Sequence, residues 1–401
     1  MPDPAASQAP SFPMTRECPF RQPAAYQQLR EQGRLGSGRL PDGRGVRVLT
    51  RHKDVRTMLA DPRFSSDRRN PGFPLQVERP KGEQFPKSMI SMDGAEHAAA
   101  RRAVLGEFTV RRINALLPRV QQIVDEHVEA MLAGPPHADL VRELSLPVPS
   151  LVICELLGVP YADHDFFQSR SATLLNRDAT PQQRGSAIGD LKSYLDTLVR
   201  GKVAQPTDDL LGRQVAAQRA AGEVDVEALV ATAVLLLIAG HETTANMISL
   251  GTLMLLENPE RLAAITADPG KTPGAVEELL RYFTIAEFAT SRVALEDVEI
   301  GGGLIEAGEG VIGLALSGNR DAEVFDRPEE LDVERGARNH LAFGFGPHQC
   351  LGQNLARAEL RIVFDTLFRR IPGLRLDAAV SELPFKNDAN IFGLHRLPVA
   401  W

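Results

Sequence analysis

From residue 94 to residue 282 the chain repeats one pattern, apolar residues three and four apart, and this constrains its fold more than any other feature. The spacing predicts helices over 94–108, 110–133, 140–157, 162–176, 181–203, 207–221, 225–257, 259–267 and 273–282, with a further one at 350–370. The pattern changes at 293–316, where VALEDVEIGGGLIEAGEGVIGLAL reads as short strands joined by Gly-rich turns. VRVLT (46–50) reads as a strand, followed by a short helix from Lys53 to Ala60, and 383–400 reads as another strand pair. Residues 65–90 carry Pro, Gly and charge without a period, and are expected to form a long loop of the kind that serves as a binding loop or lid. The Pro-rich residues 1–22 are expected to be loosely ordered. No stretch resembles a linker and no segment repeats. The expected fold class is mainly α with a minor β region, held as a single domain over residues 1–401.

Composition narrows what such a fold can do. Asp and Glu number 52 against 45 Lys and Arg, a balance that argues against bulk nucleic-acid binding. Cys18, Cys154 and Cys350 are too few and too scattered for a disulfide framework, and they fit a reducing compartment. Cys154, inside LVICELLGV, reads as a small buried apolar residue. The longest apolar run, ALVATAVLLLIAG (228–240), has 13 residues, too few to cross a bilayer as a helix. MPDPAASQAPSFPM lacks the positive start and apolar core of a signal peptide. A soluble, cytoplasmic, monomeric protein that uses no membrane is expected.

Cys350 stands apart from the other two cysteines. It lies in FGFGPHQCLG (343–352), with His348 two residues before it and Gly344, Gly346 and Gly352 around it. Ala356, Leu360, Val363 and Leu367 then mark one face of a helix, so the cysteine sits at or just before a helix N-terminus, where the thiolate is favoured. The glycines permit positive φ and close approach by a large flat partner. Structural zinc wants four ligands in paired spacing, which is missing here. A cysteine nucleophile stays open, because spacing alone does not exclude it. Haem iron needs a single axial thiolate and an open opposite face, which suits a lone cysteine best.

FGFGPHQCLG resembles the haem-binding loop of the cytochrome P450 superfamily, the haem-thiolate monooxygenases. The resemblance implies that fold: a triangular helical prism with a long central helix and small β-sheets. It implies haem b as cofactor, Cys350 as the axial ligand of its iron, and Phe343, Gly344 and Gly352 as cofactor-binding residues around the sulfur. Three further segments stand in the family's order. Glu278 and Arg281 in AVEELLRY match its Glu-x-x-Arg element, a buried structural pair, with Arg335 as a third partner. AGHETTAN (239–246) resembles the oxygen-binding groove of the central helix. Glu242 and Thr243 would be the catalytic acid–alcohol pair, Ala239 and Gly240 the groove wall, and Thr243 can bond back to the carbonyl of Ala239. His-Glu at 241–242 is not a zinc-peptidase motif, since Ala245 stands where the second histidine belongs. His97 and Arg101, four apart in GAEHAAARRAV, match the element that binds a haem propionate, and Arg292 and His348 are the other implied propionate partners.

The implied function is insertion of one oxygen atom from O2 into a lipophilic small organic substrate, as in secondary-metabolite or xenobiotic hydroxylation by the soluble actinobacterial branch. Electrons would come from a separate ferredoxin or flavodoxin with its reductase, since no flavin or nicotinamide domain fits in this chain. Arg102, Arg111, Arg112, Arg357 and Arg361 could attract an acidic partner, although they read equally as a solvated helix face. Substrate contacts are expected from the 65–90 loop, the helix near Phe166 to Leu175, Leu236 and Ala239, the stretch with Ile285, Phe288, Ala289 and Thr290, and the tip at Ile391 and Phe392. A peroxide-driven peroxygenase and an oxidative coupling enzyme are the alternatives. A non-catalytic haem sensor or carrier has no use for an acid–alcohol pair and should carry an output segment, which does not appear.

Overall fold

The computed structural model describes residues 9–33, 35–77 and 87–401. In chain order its helices are α1 (Ala24–Glu31), α2 (His52–Ala60), α3 (Gly94–Leu105), α4 (Val110–Ala133), α5 (Pro147–Leu157), α6 (His164–Leu175), α7 (Pro181–Ala204), α8 (Leu210–Ala221), α9 (Val226–Leu256), α10 (Pro259–Ala267), α11 (Thr272–Phe283), α12 (Ala315–Gly318) and α13 (Gln353–Arg370). The strands are β1 (Gly36–Arg39), β2 (Gly45–Leu49), β3 (Phe64–Ser65), β4 (His137–Asp139), β5 (Ser291–Ala294), β6 (Val298–Ile300), β7 (Gly303–Ile305), β8 (Gly310–Gly313), β9 (Arg375–Leu376) and β10 (Pro398–Ala400). The contacts separate two compact units. One holds the chain up to Ala99, Leu280–Leu331 and Ala337–Cys350; the other holds Ala100–Leu279, Asp332–Gly336 and Leu351–Trp401.

The first unit is built on a five-stranded sheet, ordered β1-β2-β8-β5-β3, with β2 and β8 parallel and the other pairs antiparallel. β5 and β8 are buried on both faces; β8 accordingly runs Gly-Val-Ile-Gly without polar alternation, whereas β5 buries the polar Ser291 and Arg292 as well as Val293 and Ala294. Phe12, Tyr26, Val46, Val48 and Ile312 fill one side of the sheet, and Val55, Met58, Leu59 and Val311 the other. The N-terminal stretch departs from its expected looseness. From residue 9 it is described, Phe12 is buried, and the Phe12 N–H donates to Arg39 O at 2.7 Å, while residues 1–8 lie outside the described range.

The second unit is helical, with α5, α7, α13, α6, α8 and α10 all packed on α9. Every residue of α9 from Thr244 to Leu255 is buried, so the helix must be apolar all round. The 13-residue run understated it. The 31-residue helix is long and apolar enough, by length and composition, to cross a membrane, and its place under other helices accounts for that apolarity. Polar caps set several boundaries: Asp225 accepts from Ala228 N, Asp209 from Gly212 N, and Thr180 from Gln183 N. The Asp209 cap is why the helix expected from 207 begins at Leu210. The helix expected over 140–157 divides into a π-turn at Val141–Ser145 and α5, which has Pro147 at its first position.

The expected strand pair at 383–400 is not formed. That segment makes one isolated bridge, Phe385 with Leu394, and then β10, which pairs with β4 and β9. The apolar residues that suggested strands instead pack a turn, where the Phe385 and Phe392 rings stack at 5.8 Å.

Candidate functional site

In the first unit the cysteine loop is a backbone device. The Cys350 N–H donates to Phe343 O at 2.8 Å, which closes the turn. Gly344 (φ +68°) and Gly346 (φ +71°) turn the chain in the left-handed region that side chains resist. A Cβ on Gly346 would lie 2.6 Å from Leu59 O, so the loop is seated against the C-terminal end of α2. Phe345 is held beneath the Arg56 guanidinium of the same helix, 4.0 Å from the ring centre. The Phe343 ring lies 5.7 Å from that of His340. Cys350 is exposed and in no disulfide, and Gly352 caps α13 two residues later. Cys154, by contrast, is buried, and burial pushes its thiol up to about 12.

The same unit gathers three of the predicted propionate partners. The rings of His97 and His348 stack at 3.9 Å. His348 Nε2 lies 3.2 Å from Ser66 Oγ and 3.9 Å from Asp93 Oδ1. Arg292 is buried on β5, donates to Ser291 O at 2.7 Å, and has its pKa pushed down to about 10 by burial, with Asp93 opposing the shift and Arg68 adding to it. Burial would raise the carboxyl of Asp93, but hydrogen bonds from Ser65 and Ser66 outweigh it and leave the pKa below the ordinary value. Sequence reasoning missed Arg68, Ser66 and Asp93. Ser66 and Arg68 lie in an aperiodic stretch whose only signal was the polar cluster SSDRR (65–69), and Asp93 is a single acidic residue just before the helix expected from 94. Arg101 is half-buried one turn beyond His97 on α3 and belongs to the other unit.

Glu278 and Arg281 are both fully buried on α11. Glu278 Oε1 accepts from Asp332 N at 2.9 Å and from Arg335 Nε at 3.1 Å, so Arg335 is indeed its partner. Arg281 donates to the carbonyls of Asn319 (2.7 Å), Pro328 (2.8 Å) and Glu330 (3.1 Å). Each residue ties down backbone that has no regular ladder, which is structural work.

In the second unit α9 presents Ala239, which is exposed, and Thr243, which is half-buried, one turn apart on a helix otherwise largely covered. Thr243 Oγ1 donates to Ala239 O at 2.9 Å. The space left by Gly240 is taken by α5, because a Cβ there would lie 2.8 Å from Ile153 Cδ1; glycine serves the packing of these two helices. Glu242 is buried and its Oε2 accepts from Lys386 Nζ at 3.1 Å, a partner that lies 144 residues away and was invisible in the sequence. His241 is buried, its Nδ1 lies 2.6 Å from Leu237 O, and burial lowers its pKa.

The predicted substrate contacts scatter. Leu236 belongs to the core of the second unit, and Ile285 is buried. Phe288 packs against the core of the first unit, where Ala289 is exposed. The Thr290 hydroxyl is committed to Glu287 O (2.7 Å) and Gly313 O (2.5 Å). Ile391 borders a cavity with Glu242, and Phe392 is buried against Phe385. Part of the 65–90 loop, residues 78–86, lies outside the described residues.

The profile of the family described as Cytochrome P450 matches residues 272–378. A vitamin D3 dihydroxylase of Streptomyces griseolus is 48% identical over 400 residues, covering 99% of this chain and 98% of that protein. A pentalenic acid synthase of Streptomyces avermitilis is 50% identical over 392 residues, covering 98% and 97%. The crystal structure of cytochrome P450 MoxA from Nonomuraea recticatena superposes with a TM-score of 0.91 at 57% identity, covering 98% of each chain.

Proposed function

This chain belongs to the cytochrome P450 family, and on that premise we propose that Cys350 would hold its haem iron through the thiolate and that Glu242 and Thr243 serve proton delivery for its chemistry. The enzyme is a haem-dependent monooxygenase with the cytochrome P450 fold, of the kind that hydroxylates secondary metabolites and xenobiotics, and it works with O2, a lipophilic substrate and a redox partner. The observation that supports the ligand best is the cysteine loop: an exposed thiol at the end of a turn that Gly344 and Gly346 alone can make. The first unit also suits haem b, because His97, Arg292, His348 and Arg68 supply cationic or donor groups for two propionates. Arg101, one turn on from His97, is assigned to the same task.

Haem b, when bound, supplies the oxygen-activating chemistry. The chain's own residues do the rest. Backbone N–H groups after Cys350 tune the electron donation of its sulfur. Thr243 Oγ1, which donates its own hydrogen to Ala239 O, keeps its lone pairs to accept a hydrogen bond and so hold in place the water that carries the proton. Glu242 is the side chain that supplies that proton from the solvent side. Glu278 and Arg281 hold backbone in place and take no part.

The electron donor in this reading is a separate ferredoxin or flavodoxin with its reductase. Arg102, Arg111, Arg112 and Arg361 are exposed, and Leu105 and Val110 are exposed large apolar residues among them, a combination that suits an acidic protein with an apolar centre. Arg357 drops out of this patch, since it pairs with the buried Glu277 at 2.6 Å. The substrate is a lipophilic molecule of the size of vitamin D3 or a pentalenic acid, by likeness to the relatives that bear those names. The protein acts as a cytoplasmic monomer, and all 401 residues serve one haem-thiolate domain. The test is Cys350→Ala. The variant should lose the red-shifted CO-complex band of the thiolate-ligated haem, and an unchanged band would overturn the assignment.

A further inference from the structure

Glu242 is the most buried carboxylate that the mechanism uses, and a cation holds it. Lys386 Nζ stands 3.1 Å from its Oε2, with the two side chains 16% and 6% exposed. Lys386 comes from the C-terminal turn. Its own N–H donates to Gly393 O at 2.8 Å, and the bridge between Phe385 and Leu394 closes the base of that turn. The turn is anchored from outside as well, where Arg177 Nη1 donates to Ala389 O at 2.6 Å.

The ion pair borders a cavity of about 230 Å³ in the second unit. Asn246, one helical turn beyond Glu242, is 2% exposed and also lines this cavity, and its Nδ2 has no hydrogen-bond partner among the described residues. A buried amide donor without a partner is costly, and a water in the cavity would satisfy it. At about 30 Å³ for each water the space holds several. Asp388 and His395 also line the cavity, with Asp388 Oδ1 and His395 Nε2 3.2 Å apart and the His395 side chain 52% exposed. The charged and titratable groups around Glu242 are therefore Lys386, Asp388 and His395 from the C-terminal segment and His241 from its own helix. The α6 side contributes the uncharged Ala172, Thr173, Leu175 and Asn176.

We propose that Lys386 is the positioning residue for Glu242, holding its carboxylate at a wet cavity through which protons arrive from the Asp388–His395 pair at the surface. The C-terminal turn thereby sets the geometry of proton delivery on α9. This rests on the assignment of Glu242 as the proton-supplying residue and adds the route and the part that aims it. The lysine's contribution is orientation: one contact fixes one carboxylate oxygen, while the other is left for the cavity.

The test uses the ferric holoenzyme with Lys386→Met, Lys386→Arg and Glu242→Gln, and the double variant Glu242→Gln/Lys386→Met. The infrared carboxylate band that disappears in Glu242→Gln should shift in Lys386→Met and return in Lys386→Arg, a readout that needs no turnover. With a plant-type ferredoxin and its reductase as electron source and no organic substrate, the ratio of peroxide to water formed from O2 should rise roughly tenfold in Lys386→Met, with an altered pH profile. Lys386→Arg should restore both. The double variant should match Glu242→Gln alone, because the lysine acts through the glutamate. A carboxylate band that stays put, or a peroxide ratio and pH profile equal to the parent's, would overturn the proposal. So would a double variant with additive losses. If Lys386→Met does not fold, Lys386→Gln takes the same measurements. Failure of the underlying assignment looks different: Glu242→Gln itself would then leave the peroxide ratio unchanged.

Discussion

Glu359 is buried in α13 at 2% exposure, and its Oε2 has no hydrogen-bond partner among the described residues. Burial alone pushes its carboxyl from the ordinary 4.5 up to about 8. Replacing it with glutamine keeps the shape and removes the titration. The sign follows from proton binding. Below pH 4.5 both folded and unfolded chains hold the proton, and burial costs nothing through charge. Between 4.5 and about 8 the unfolded chain releases it and the folded chain keeps it, so stability falls as pH rises. Above about 8 both are ionised and the full cost of a buried carboxylate is present. Each pKa unit is about 1.4 kcal/mol, so the whole effect is on the order of 5 kcal/mol as an upper bound. Glutamine gives back about 1 kcal/mol if it loses a hydrogen bond that the acid makes. Glu359→Gln should therefore match the parent near pH 5 and exceed it increasingly toward pH 8.5. Urea unfolding of the ferric holoenzyme, followed by circular dichroism at three pH values, measures this directly. A stability difference that is constant across pH would refute the reasoning, since it would mean that the carboxyl does not change its protonation on unfolding.

Other expectations follow from the site. Thr243→Ala removes the hydroxyl that donates to Ala239 O; haem binding should survive while more of the consumed oxygen leaves as peroxide, and coupling equal to the parent's would count against the assigned role. Gly346→Ala places a Cβ 2.6 Å from Leu59 O on backbone at φ +71°; we expect a loss of roughly 2–4 kcal/mol and weakened haem retention, checked by melting and by haem transfer to an acceptor protein. Arg111→Glu with Arg112→Glu should slow reduction by ferredoxin several-fold at low salt and leave the substrate-induced spin shift alone, and unchanged reduction kinetics would discard the patch.

The local features were legible because they depend on neighbours along the chain. α4 and α10 begin and end where the apolar period placed them, and α7 differs by one residue at its C-terminal end. β2, α2 and the run of short strands after residue 290 also answer to spacing and turn residues. Less legible were elements that owe their existence to a partner. β4 has only three residues and is a strand because β10 pairs with it, and β3 with two residues depends on β5. The apolar C-terminal segment looked like a strand pair, since a buried turn and a buried strand have the same composition. Within the candidate site, Cys350, His97 and His348 stand in motifs, and Arg292 is implied by the family resemblance. Arg68, Ser66 and Asp93, which surround three of them, have neither signal.

What the sequence by itself determined is the chemistry on offer: a lone cysteine among glycines before a helix, an acid and an alcohol on a long apolar helix, and a buried Glu-x-x-Arg pair. These are matters of residue type and spacing along one element. Tertiary structure decided who holds whom. Lys386 meets Glu242 across 144 residues, Arg335 meets Glu278 across 57, and the two imidazoles of His97 and His348 stack. A side chain reaches only a few ångströms, so residues this far apart in the chain can pair only after packing has brought their elements together. No periodicity in the sequence records that step.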